Sequence, residues 1–136
     1  MKKNMSRLLK IASNNLTRSF NNFAVQYDLT STQMSILDFI SLSNGPALQK
    51  EIEHEFVIKR STATNLLKLM EKKELIYRVE NPEDSRQKFI YLTSKSKELI
   101  NSIKNYMKLE QDQLYDTFTK EEIETFESIL NYYINK

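Results

Sequence analysis

Apolar residues recur at steps of mostly three and four from about residue 5 to 27: Leu8, Leu9, Ile11, Ala12, Leu16, Phe20, Phe23 and Ala24. That spacing predicts one long amphipathic helix with a wide apolar face. A sharp new start follows at Leu29-Thr30-Ser31-Thr32-Gln33-Met34. Thr30 and Gln33 have capping-box spacing, and Leu29 and Met34 sit where a hydrophobic staple closes. The helix they open carries Ile36, Leu37, Phe39 and Ile40 and stops at Asn44-Gly45-Pro46. A short helix over about 47–55 places Leu48 and Ile52 inward, and Phe56-Val57-Ile58 forms a tight connection. The next helix, about 60–73, buries Ala63, Leu67 and Met70, with Leu66 and Leu69 widening the stripe.

The pattern then changes. Leu75-Ile76-Tyr77-Arg78-Val79 and Phe89-Ile90-Tyr91-Leu92 are strand-like runs on either side of the turn formers Pro82, Glu83, Asp84 and Ser85. This predicts a β-hairpin with a charged tip. After Thr93, a candidate N-cap, helical spacing resumes to about residue 115 through Leu99, Ile100, Ile103, Tyr106 and Met107. Thr119 and Glu122 make a second capping box, with Phe118 and Ile123 as its staple. The last helix, about 120–134, holds Ile123, Phe126, Ile129, Leu130, Tyr133 and Ile134. The expected fold is mainly α with a small two-stranded β wing, in the order four helices, two strands, two helices.

Composition narrows the chemistry. The 136 residues suffice for one domain with a modest core, and they include one Gly, two Pro and no Cys. Disulfides, thiolate metal sites and thiol redox switches are thereby excluded. No apolar run approaches the roughly 20 residues that span a bilayer, and the basic N-terminus reads as a helix and not as a signal peptide. The expected location is the cytoplasm, with no membrane partner. Charge is uneven: residues 1–56 carry 6 Lys/Arg against 5 Asp/Glu, residues 57–97 carry 10 against 5, and residues 98–136 carry 4 against 8. A basic middle between neutral and acidic flanks points to a polyanion-binding segment.

Two short helices joined tightly and followed by a basic hairpin form the winged helix-turn-helix layout. The second helix can enter a DNA major groove about 12 Å wide. Ser61, Thr62, Thr64 and Asn65 are short enough to let its backbone approach the bases, and Asn pairs bidentately with adenine. Arg60 and Lys68 are long enough to reach phosphates or guanine. The hairpin is then the wing. Arg86 is the probe for a narrow minor groove, where negative potential concentrates. Asp84, two residues earlier, pairs with Arg86 or caps the turn, and Lys88 adds a phosphate contact. A plain solvated hairpin is the alternative, and the neighbouring RSTATN stretch and basic segment argue against it.

These residues resemble a known family. STATNLLKLMEKKELIYR followed by PEDSRQKFIYLTSKSKEL is similar to the multiple-antibiotic-resistance regulator (MarR) family of bacterial transcription factors. Its D-x-R wing signature matches Asp84-Ser85-Arg86, and its L-T-x-x-Q opening matches Leu29 to Gln33. The resemblance spans essentially the whole chain. It implies a triangular homodimer joined through the first and last helices, over 1–28 and 98–136, with 29–97 as the DNA-binding lobe. Leu8, Ile11, Leu16, Phe126, Ile129, Leu130, Tyr133 and Ile134 are the candidate dimer contacts, since a small core does not need them all. Two copies would read a roughly palindromic double-stranded operator. The resemblance also implies a small aromatic effector near Tyr27 that lowers DNA affinity, although core packing explains the same aromatics. One departure stands out: many members have Gly where this chain has Glu74 after Glu71-Lys72-Lys73. A left-handed Glu74 costs roughly 1 kcal/mol relative to Gly.

Other chemistry is weakly supported. His54 among Glu51, Glu53 and Glu55 is the sole histidine, whereas most zinc sites use several His or Cys ligands. No metal, cofactor or catalytic residue is expected, and no enzyme activity. The competing reading is a winged-helix protein-interaction module without specific DNA binding.

Overall fold

The computed structural model describes residues 2–136. Asn4 caps α1 (Met5–Ala24), its side chain accepting from the Arg7 N–H. A 3-10 turn, Val25–Tyr27, and a left-handed Asp28 (φ 59°) end this arm. At α2 (Ser31–Ser41) both capping-box bonds form, Gln33 N–H to Thr30 Oγ1 and Thr30 N–H to Gln33 Oε1, each 3.1 Å. Gly45 takes φ +102°, a conformation that side chains rarely tolerate, and turns the chain.

Here the structure departs from the expected helix over 47–55. Ala47–Leu48 is a two-residue strand, β1, and α3 runs only from Gln49 to Phe56. The two residues find backbone partners on the hairpin instead: Ala47 opposite Ile90 and Leu48 opposite Phe89. The hairpin is β2 (Ile76–Asn81) and β3 (Asp84–Leu92). The two-stranded wing thus sits in a three-stranded antiparallel sheet of order β1-β3-β2.

Between α3 and α4 (Arg60–Lys72) the chain turns at Val57, whose φ is 52°. Val57 N–H donates to the His54 carbonyl and Ile58 N–H to Glu53, which close the end of α3. Glu74 is indeed left-handed, at φ 63°. Just beyond it, Thr93 caps α5 (Ser94–Thr117) through the Ser96 N–H at 3.2 Å. The Thr93 hydroxyl lies 2.7 Å from the Glu74 carbonyl, and the buried Ser96 hydroxyl donates to the Leu75 carbonyl. These bonds fasten the root of the wing to the start of α5. The second capping box forms at α6 (Lys120–Ile134), between Thr119 and Glu122.

One core runs through most of these elements. Met34, Ile36 and Leu37 of α2, Ile52 of α3, Leu67 and Met70 of α4, Ile76 and Ile90 of the sheet, and Ile103 of α5 are all buried. Phe20, Phe23 and Tyr27 pack on its edge, with Phe23 stacked on Tyr106 at 4.1 Å. Leu69 is not part of it. At 56% exposed it lies beside Asn65 on the outer surface of α4, because Leu67 and Met70 already fill the inward positions.

Candidate nucleic-acid interface

Helix α4 presents two polar stripes. Ser61, Thr62 and Asn65 are exposed and, with Leu69, form its outer face. Arg60, Thr64 and Lys68 recur every four residues and face the wing across a cleft of about 590 Å³. Thr64 is half-buried there, its hydroxyl accepting from Gln49 Nε2 at 2.9 Å. That bond ties α4 to the first turn of α3.

The far wall of the cleft is the wing, and its pairing register explains how the tip projects. Glu80 pairs with Lys88 and Asn81 with Asp84, so Ser85, Arg86 and Gln87 have no counterparts on β2. The ladder is interrupted and the three residues stand off it, as in a bulge. The Asn81 side chain accepts the Glu83 N–H at 3.0 Å and fixes the turn. Asp84 does both things expected of it. Its Oδ1 accepts the Arg86 backbone N–H at 3.1 Å and the Arg86 Nε–H at the same distance. The Arg86 side chain, 84% exposed, is aimed by that carboxylate and otherwise free. The same hydrogen bonds hold the Asp84 carboxyl below its ordinary range.

Arg60, Thr64, Lys68, Asp84, Arg86 and Lys88 therefore line one cleft, and Ser61, Thr62 and Asn65 lie on the adjoining face. Sequence reasoning gave no site role to Gln49, Lys50, Arg78 or Gln87, which line it too. Arg78 had a readable signal. It follows Ile76 by two, so strand alternation turns it to the inner face, where a cation must find a carboxylate. The partner is Glu71, at 3.1 Å.

The arm is different in kind. Ile11, Phe126 and Ile129 are exposed, as are Leu8, Leu16 and Ile134, while Leu130 and Tyr133 are half-buried. Helix α6 buries only Ile123. An apolar groove of about 550 Å³ runs along it past Leu114, Phe118, Phe126 and Ile129. Among the described residues, no helix is long and apolar enough to cross a membrane. No group of three or more His, Asp or Glu is placed to hold a metal ion among them either.

The MarR family model matches residues 27–87, which span the helix-turn-helix and the wing to its tip. The uncharacterized HTH-type transcriptional regulator YsmB of Bacillus subtilis is 30% identical over 105 residues, covering 77% of this chain and 71% of that protein. Among solved structures, the transcription regulator MarR from Oenococcus oeni PSU-1 superposes with a TM-score of 0.90. It is 46% identical, and the match covers 98% of this chain and 100% of the other. The chain belongs to the MarR family. It is a winged helix-turn-helix, DNA-binding transcriptional regulator, and its relatives are regulators and not enzymes. The Staphylococcus aureus MepR–DNA complex shares the fold, with a TM-score of 0.85 at 24% identity over 98% of both chains.

Proposed function

We propose that this MarR-family chain acts as a homodimeric repressor. In this reading α4 enters the major groove, with Ser61, Thr62 and Asn65 facing base edges and Arg60 and Lys68 the backbone. Arg86 reaches into the adjacent minor groove, and Lys88 takes a phosphate. The observation that carries it is the Asp84–Arg86 unit. A bulge sets an exposed guanidinium off the ladder, and a carboxylate spends its acceptors on aiming it across a cation-lined cleft from α4. A merely solvated wing needs no such device. That a MepR–DNA complex exists for a protein of the same fold supports the reading.

The exposed apolar faces of α1 and α6 support dimerisation through 1–28 and 98–136, with 29–97 as the DNA-binding lobe. A two-fold pair would set two recognition helices about one DNA turn apart on a roughly palindromic operator. Occupying promoter DNA then blocks polymerase. Release by a small aromatic effector would act through the spacing of the two lobes, since only the spacing that matches the groove repeat binds tightly. Such regulation is cytoplasmic.

The test is fluorescence anisotropy with the duplex upstream of the chain's own gene and a scrambled duplex, across a salt series. Specific binding about a thousandfold tighter than the control, and weakening with salt, is expected. Equal weak binding to every duplex from a genome-wide pull-down contradicts specific recognition and leaves the protein-interaction reading.

A further inference from the structure

We propose that the cleft between α4 and the wing seats one phosphodiester of the bound DNA, and that Arg78 on its floor is a phosphate-binding residue. This rests on the DNA-binding reading above and adds a residue to it. With α4 in the major groove and the wing in the neighbouring minor groove, one sugar–phosphate strand must pass between them. The cleft is where it passes.

The chemistry of the lining fits a phosphate. Lys50, Arg60, Lys68, Arg78, Arg86 and Lys88 border the cleft, against Glu53 and Asp84, and Asp84 is committed to Arg86. Arg78 differs from the other cations. Its side chain is only 10% exposed, and Glu71 accepts from Nη2 at 3.1 Å. Its buried Nε–H has no partner among the described residues. Buried donors are nearly always hydrogen-bonded, so an unsatisfied one beside a cleft calls for an acceptor that arrives with a ligand. A guanidinium presents paired N–H groups that match two phosphate oxygens, which a lysine does not. Glu71 is then a positioning residue: it fixes the plane of the guanidinium through one nitrogen and leaves the rest of the fork for the phosphate.

Two measurements test the assignment against the alternative, in which Arg78 only braces β2 on α4. The first compares the salt dependence of Kd for wild type and Arg78→Gln on the same specific and random duplexes, after thermal melts of both proteins. Roughly tenfold weaker binding to both duplexes is expected, with the slope of log affinity against log salt shallower by about 1. The second places single uncharged methylphosphonates along the specific duplex. At one phosphate per half-site, neutralisation should weaken wild type but not Arg78→Gln. An unchanged slope, with additive losses at every phosphate, overturns the proposal and leaves Arg78 as a brace. If Arg78→Gln does not fold, Arg78→Lys serves, since it keeps the charge and loses the fork. Its coupling to that one phosphate should shrink, and full wild-type coupling overturns the proposal. A wild-type chain that binds no duplex overturns the DNA reading itself, and that result is seen before any variant is compared.

Discussion

The segment 29–97, proposed above as the DNA-binding lobe, and the helices α1 and α6, proposed as the dimer arm, use the same helical periodicity to opposite ends. In the lobe, the main apolar stripes close on one another within the chain: Leu67 and Met70 of α4 share one core with Ile52 and Ile76, and the cleft they leave outside is mostly polar and cationic, with Leu69 exposed on the adjoining face. In the arm, the stripes stay open. Ile11 and Ile129 are each more than half exposed, and α6 buries one residue. Period alone does not separate the two cases, because an amphipathic helix looks alike whether its partner is in the same chain or in another. Charge marks part of the difference. Residues 57–97 carry 10 Lys/Arg against 5 Asp/Glu, whereas α6 is acidic, with Glu121, Glu122, Glu124 and Glu127 against Lys120, and α1 carries Arg7, Lys10 and Arg18 without an acid. A polyanion is attracted to the first and repelled by α6.

The sharpest way to break this comparison is to close the arm's role. Ile129→Asp with Phe126→Ser should convert a dimer to a monomer by sedimentation velocity, and should cost at least a hundredfold in operator affinity as the second lobe's contribution is lost. The lobe's own melting should persist. A monomer that binds the operator as wild type does would sink the division of labour. Next in size, Arg86→Ala should weaken DNA binding about tenfold or more with no change in Tm, because the side chain packs on nothing. Equal affinity removes the wing from the interface. Asn65→Ala should lower the ratio of operator to random affinity, by about 1–3 kcal/mol if it pairs with adenine. Parallel losses on both duplexes would show that it does not read bases.

Smaller effects lie in the turns that aim the two elements. Val57, β-branched, exposed and left-handed, closes the helix-turn-helix. Val57→Gly should raise stability by about 1 kcal/mol in denaturant titrations. Glu74→Gly, at the root of the wing, should do the same by about 0.5–1 kcal/mol. If neither substitution stabilises, these positions carry no strain. The least effect is expected from pH. Arg86 holds the Asp84 carboxyl below its ordinary range, so the pair forms at pH values above that range and is lost only as pH falls through the lowered value. Between pH 5 and 8 the benefit of Arg86 to binding should stay constant. A fall in that benefit by pH 5 would contradict the pairing.

What was legible in the sequence was local. The boxes at Thr30–Gln33 and Thr119–Glu122 and the cap at Thr93 each join residues three apart, and all three formed. The wing was legible from its turn formers, and the left-handed Glu74 from a missing glycine. Tertiary partners were not. The strand at Ala47–Leu48 exists only because Phe89 and Ile90 lie opposite, forty residues on. Leu69 looked like core because spacing cannot say which of several adjacent apolar positions the neighbouring helix leaves uncovered. Strand alternation pointed Arg78 inward, but its place on the floor of the cleft comes from the fold that sets α4 against the wing, which is no pattern in sequence.

The most direct test of the account is a hydroxyl-radical footprint of wild type and Arg86→Ala on the tightest-binding duplex. The account predicts two protected tracts per strand, related by a two-fold axis and centred about one helical turn apart. Flanking minor-groove protection should be lost with Arg86→Ala alone. A single asymmetric tract, or flanks unchanged in the variant, would contradict it.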